Sequence, residues 1–104
     1  MTSLPIDDSH AALYTVGQVA AMLSVQQAFL RRLDEHEVVR PQRSAGGQRR
    51  YSRQEIIRVQ YVVQLADEGM TLAAIRRVLE LERRLRDALH RIDELESELR
   101  RRES

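Results

Sequence analysis

Apolar residues recur at helical spacing in several stretches of this chain, and the gaps between them hold residues that stop helices. Val16, Val19, Ala20 and Leu23 fall on one face of a short helix over about 16–23. Thr15, with Gln18 three residues on, has the form of a capping box: the hydroxyl accepts an orphan N–H, and the side-chain amide answers the backbone of Thr15. Ser24 and Val25 make a tight turn. A second helix follows over about 26–36, with Leu30 and Leu33 inward and Gln26, Gln27, Arg31, Arg32 and Glu35 mostly on other faces. Val38 and Val39 read as a short buried link, and Pro41 forbids helix at that point.

From Gln42 to Tyr51 the helical pattern lapses. Gly46-Gly47 between short polar stretches suggests a hairpin tip, since a tight turn needs residues that tolerate positive φ. The segment is expected to form a two-stranded ribbon. Ser52 with Glu55 repeats the capping box, opening a third helix over about 53–68 with Ile56, Val59, Val62, Val63 and Ala66 available to a core. Gly69 has the position of a C′ residue. Thr71 caps a fourth helix bearing Leu72, Ile75, Val78 and Leu79.

The clearest period lies in the last part of the chain. Val78, Leu81, Leu85, Ala88, Ile92, Leu95 and Leu99 alternate steps of three and four, the a/d seam of a coiled coil. Acids stand four residues before arginines at Glu80–Arg84, Glu82–Arg86, Asp87–Arg91, Glu96–Arg100 and Glu98–Arg102, each pair adding roughly 0.2–0.5 kcal/mol to the helix. So narrow an apolar stripe must be covered, and a second copy of the helix is the expected cover. Strand direction stays open on charge alone: Arg84 suits Glu98 in an antiparallel pair, Arg91 suits Glu96 in a parallel one. The expected division is an arm over 1–13, a globular domain over 14–80 and a dimerisation helix over 81–104.

Composition narrows the chemistry. The 104 residues contain no cysteine, which excludes disulfides and thiolate ligands. His10, His36 and His90 stand far apart, without metal-ligand spacing. Gly46-Gly47 lacks the lysine and helix of a phosphate loop. Acid pairs such as Asp7-Asp8 and Asp34-Glu35 read as solvated. Neither cofactor nor enzyme activity is expected. With no signal peptide and no membrane-spanning run, the expected location is cytoplasmic.

The net charge is only +1, but its distribution is uneven: seven arginines lie between Arg31 and Arg53 against three acids, Asp34, Glu35 and Glu37. A local basic patch on a near-neutral chain is the footprint of a DNA binder. All 17 basic residues are arginine; genomic base composition accounts for that bias but not for the clustering. A helix, a tight turn, a second helix and an arginine-bearing hairpin together make a winged helix-turn-helix plan. In such a plan Gln26, Gln27, Arg31 and Arg32 can meet base edges in a major groove, and Arg43, Arg49 and Arg50 can meet phosphates. Tyr51 either caps the wing against the core or reaches a phosphate. Phe29 is either a core residue or an apolar contact to a thymine methyl.

The stretch Tyr14-Thr15-Val16-Gly17-Gln18-Val19-Ala20 resembles the opening helix of MerR-type regulators. Leu30-Arg31, Val38-Val39-Arg40-Pro41-Gln42-Arg43, Gly47-Gln48-Arg49-Arg50-Tyr51-Ser52 and Gly69-Met70-Thr71-Leu72-Ala73-Ala74-Ile75 follow in that family's order and spacing, from about Tyr14 to Leu81. The wing, Arg43 to Ser52, is most similar to the heat-shock-repressor (HspR-like) members. The resemblance implies a mainly α fold, a winged helix-turn-helix followed by a long coiled-coil helix. It implies a homodimer through an antiparallel coiled coil, with two recognition helices on near-palindromic double-stranded DNA. Thr15, Arg31 and Arg49 would be among the DNA contacts, the outcome would be repression, and a chaperone-type co-regulator is a candidate partner. The chain departs from the family at Phe29, where threonine is usual, at Arg32 and Leu33, where aromatics are usual, and at Glu37, where glycine is usual. Two other readings remain: an excisionase-like DNA-bending protein, or a coiled-coil adaptor that has lost DNA binding.

Overall fold

The computed structural model describes residues 9–104. Of the arm expected over 1–13, the part before Ser9 lies outside the described residues, as does Asp7-Asp8. The remainder is tethered: the Ser9 carbonyl accepts from the Gln54 amide at 3.1 Å, and the His10 carbonyl accepts from Gln42 Nε2 at 3.3 Å.

The chain runs β1 (Tyr14–Thr15), α1 (Val16–Leu23), α2 (Gln27–Glu35), β2 (Gln42–Arg43), β3 (Arg49–Tyr51), α3 (Arg53–Asp67) and α4 (Leu72–Glu103). Both capping boxes form. The Gln18 amide reaches Thr15 Oγ1 at 3.1 Å and Thr15 N–H donates to Gln18 Oε1 at 2.8 Å. At the start of α3, the Glu55 amide reaches Ser52 Oγ at 3.1 Å and Ser52 N–H donates to Glu55 Oε1 at 2.8 Å. Gly69 ends α3 in the left-handed region, φ +97°, where a Cβ is costly.

The ribbon departs from expectation by one strand. β2 and β3 pair antiparallel with Arg43 opposite Arg49, and β1 joins the other edge of β3 with Tyr14 opposite Tyr51. The sheet therefore has three strands, ordered β1-β3-β2. Two-residue strands carry no usable alternation, so only the tertiary pairing makes β1 visible. Gly47, at φ +80°, turns the hairpin tip, and the Ser44 amide donates to the Gln48 carbonyl at 2.8 Å.

One core holds these elements. Val19 and Ala20 from α1, Leu30 and Leu33 from α2, Val38 and Val39 from the link, Tyr51 from β3, and Ile56, Val59, Val62 and Leu65 from α3 are buried together. α4 contributes Ile75, from its first turn. Fully burying a Leu or Ile side chain is worth roughly 1.5–3 kcal/mol, so this small cluster carries most of the hydrophobic stabilisation.

Leu72, Val78 and Leu79 pack against the core partly buried, and beyond them α4 leaves it behind. The helix is unbroken for 32 residues, so the expected division at 80/81 falls inside one continuous rod. The Cα radius of gyration is 17.5 Å, against about 13 Å for a compact chain of this size. Leu81, Leu85, Ile92, Leu95 and Leu99 are about half exposed. Leu89, next to the small Ala88 and not expected in the seam, is exposed to the same degree and widens the stripe. Of the expected helix pairs, Glu80–Arg84 and Glu98–Arg102 close at 2.9 Å. Elsewhere the chain chooses other partners: Asp87 lies 3.8 Å from Arg83, Arg100 reaches Ser97, and Glu82 accepts from Tyr61.

Candidate nucleic-acid interface

The helical wheel of α2 sorts its side chains into three sectors. Leu30 and Leu33 face the core. Gln27, Ala28, Arg31, Arg32 and Glu35 form one exposed arc, with Gln26 at its edge as the N-cap residue. Asp34 and Phe29 flank that arc on opposite sides, Asp34 toward the wing and Phe29 partly buried against the core cluster.

Asp34 is the centre of the arrangement. Its Oδ2 accepts from Arg49 Nε at 2.8 Å and from Arg43 Nη2 at 3.0 Å. Arg43 also donates through Nη1 to the Gly47 carbonyl at 3.3 Å. The carboxylate is only 11% exposed. It is thus an internal partner of the wing, not the solvated member of an Asp34-Glu35 pair. Nothing local in the sequence marks it, because its partners lie 9 and 15 residues away.

The wing arginines divide between two faces. Arg43 and Arg49 are cross-strand neighbours, both turned to α2. Arg50, one residue on, belongs to the opposite face because strand side chains alternate. There it donates to Gln48 Oε1 at 3.3 Å and to the Arg49 carbonyl at 3.4 Å. Arg31 stands one helical turn before Asp34, on an adjoining stripe. Arg43 and Arg49 therefore meet at one carboxylate, with Arg31 exposed on α2 one turn before it, while Arg50 does not join them.

The remaining candidates fall as follows. Thr15 Oγ1 is engaged as the α1 cap, and a Cβ at Gly17 would lie 3.5 Å from Gln27 Nε2, so Gln27 lies beside the first turn of α1. The Arg32 guanidinium lies over the Phe29 ring, 5.7 Å from its centroid, within cation–π range. That contact uses two of the positions where the chain departs from the family pattern. Tyr51 is fully buried, so the phosphate role considered for its hydroxyl is ruled out by position; the ring closes the wing onto the core. Burial pushes its pKa up to about 12, opposed in part by the nearby Arg49 charge. Tyr61 donates its hydroxyl to Glu82 Oε1 at 2.8 Å, and that bond raises its pKa. Among the described residues no group of three metal-ligating side chains comes together, and no helix is long and apolar enough to cross a membrane.

A winged helix-turn-helix with this basic helix–wing junction, carried on a long terminal helix, belongs to a known class. Residues 14–82 match the MerR HTH family regulatory protein model, and the chain belongs to that family. It is 36% identical over 88 residues to a protein described as heat shock protein HspR of Streptomyces coelicolor, a match covering 84% of this chain and 58% of the relative. It is 29% identical over 73 residues to the HTH-type transcriptional regulator GlnR of Bacillus anthracis, covering 70% of this chain and 57% of the relative. The chain thus spans less than two thirds of the length of these relatives.

Solved structures share the fold. The N-terminal part of MtaN, the Bacillus subtilis multidrug transporter activator, superposes with a TM-score of 0.61 at 25% identity, covering 85% of this chain and 95% of that one. HiNmlR, a MerR family regulator lacking the sensor domain and bound to promoter DNA, gives 0.60 at 22% identity, covering 83% and 81%.

Proposed function

We propose that this chain is a sequence-reading transcriptional regulator that binds double-stranded DNA as a homodimer. The observation that carries the reading is the clasp of Arg43 and Arg49 against α2, where Arg31 is exposed one turn before Asp34, on a MerR-family fold. α2 enters a major groove, with Gln26, Gln27 and Arg31 toward base edges and Arg32 toward the backbone. The wing lies along the phosphates through Arg43 and Arg49, Arg50 meets the backbone from the opposite face of the sheet, and Thr15 and the start of α1 lie against the same strand.

The exposed leucine stripe of α4 supports a second copy as its cover, paired antiparallel. Thirty-two residues make a helix about 48 Å long. That is enough to hold two recognition helices roughly 34 Å apart, one turn of DNA, on a near-palindrome. The protein acts in the cytoplasm as a repressor, and the HspR likeness supports a chaperone-type co-regulator as a further partner.

A gel shift of the full chain on its own upstream region, run across salt, tests the reading. About eight phosphate contacts per dimer predict a loss of roughly 10³-fold or more in affinity between 50 and 200 mM salt. No shift on any duplex at any salt would favour the coiled-coil adaptor. Binding and bending by a monomer would favour the excisionase-like reading.

A further inference from the structure

An acidic side chain held inside a basic surface works against attraction to a polyanion. Asp34 does this twice over, since one carboxylate oxygen accepts from both Arg49 and Arg43. On a surface shaped only for affinity it would be a liability. Its two contacts show what it supplies instead. Arg49 is held through Nε, so neither Nη group is needed for the bond to the carboxylate. Arg43 is held at one end by Asp34 and at the other by the Gly47 carbonyl at the wing tip. The grip spans two elements that no hydrogen-bonded ladder joins. It fixes how the wing stands relative to α2, and hence the distance between Arg49 and Arg31.

We propose that Asp34 is a positioning residue for DNA recognition: it holds Arg43 and Arg49 in one orientation against α2, giving up non-specific affinity for discrimination between sequences. The proposal rests on the reading of α2 and the wing as the DNA surface. Free guanidiniums on a flexible wing can follow any phosphate backbone. Guanidiniums locked to the recognition helix suit a duplex only when that helix is seated in its proper register, so mismatched sites lose phosphate contacts along with base contacts.

The test uses the full chain, a duplex selected by the wild-type protein from a randomised pool, and a scrambled duplex of equal length. Asp34→Asn keeps the shape and removes the charge. It is expected to bind the scrambled duplex about 3–10-fold more tightly at low salt, to steepen the salt dependence by about one counterion, and to lower the selected-to-scrambled affinity ratio by about tenfold or more. Arg49→Lys keeps the charge without the Nε donor. It is expected to lower the selected-to-scrambled ratio as well, which also covers the case in which Asp34→Asn does not fold. A selected-to-scrambled ratio unchanged in both variants, or in Arg49→Lys alone where Asp34→Asn does not fold, would overturn the proposal and reduce Asp34 to a structural clasp. Wild-type protein that enriches no duplex from the pool would overturn the DNA-binding reading itself.

Discussion

The hydroxyl of Tyr61 on α3 donates to the carboxylate of Glu82 on α4 at 2.8 Å, ten residues beyond the start of the long helix at Leu72. Ile75 is the fully buried residue of α4, and Leu72, Val78 and Leu79 pack against the core partly buried, so this bond fastens the rod just past its last apolar contact with the core. Tyr61→Phe and Glu82→Gln should each lower the melting temperature, and the double variant should lose less than the sum, since either change removes the same bond. The bond also raises the Tyr61 pKa, so its contribution is complete at neutral pH and is lost as pH climbs past the usual tyrosine value. A double-mutant cycle followed by circular dichroism at pH 7 and pH 11 should show a smaller coupling at the higher pH.

Tyr51 should give a separate alkaline signature. Its hydroxyl has no protein hydrogen-bond partner among the described residues and its pKa is pushed up to about 12 by burial. An unfolded tyrosine titrates near 10, so the folded chain holds this proton more tightly. The stability tied to that proton is fully present below about pH 10 and drains away as pH rises toward 12. Tyr51→Phe should remove this slope. At pH 8 it should be neutral or stabilising by up to about 1 kcal/mol, because it deletes an unsatisfied buried hydroxyl. Urea midpoints for both proteins at pH 8 and pH 11 check the expectation. A phenylalanine variant much less stable than wild type at pH 8 would show that the hydroxyl has a partner.

Glu37 follows α2 with φ +57°, a left-handed conformation that side chains with a Cβ rarely adopt. Its ion pairs, to Arg40 at 3.6 Å and Arg76 at 3.8 Å, are well exposed and contribute little. Glu37→Gly should therefore stabilise the fold. Relief of backbone strain of about 1–2 kcal/mol exceeds the added chain entropy of glycine by up to about 1 kcal/mol. Thermal melts at neutral pH measure the gain.

For the leucine stripe, Leu85→Asp combined with Ile92→Asp should halve the mass seen by light scattering and leave the helical signal of the globular part in place. Leu89→Asp should weaken association in the same direction, because Leu89 flanks the small Ala88. An unchanged mass in the double variant would remove the homodimer from the functional reading.

What could be read from the residues was what depends on near neighbours. The two capping boxes, the glycine that ends α3 and the helical run of α4 with its exposed apolar stripe all arise within four residues of chain, and each lies where local rules put it. What escaped reading depends on distant pairing. β1 exists only because Tyr14 meets Tyr51, and Asp34 matters only because a wing 9 and 15 residues away folds back onto it. The same limit applies to Tyr61, whose partner Glu82 lies 21 residues away on α4. Arg43, Arg49 and Arg50 were legible as a basic cluster, but the alternation of β3 decides which of them share a face.

α4 carries no glycine, proline or loop between the turn that anchors it at Ile75 and its far end at Glu103. The molecule consequently has no elbow. A shift of the globular head must swing the whole rod with it, and a change in how the rod is gripped at its tip must be felt at the head as a change of bearing. Adding or deleting a single residue along the rod would rotate everything beyond it by about 100°, so natural variation in its length is expected to come in steps of seven.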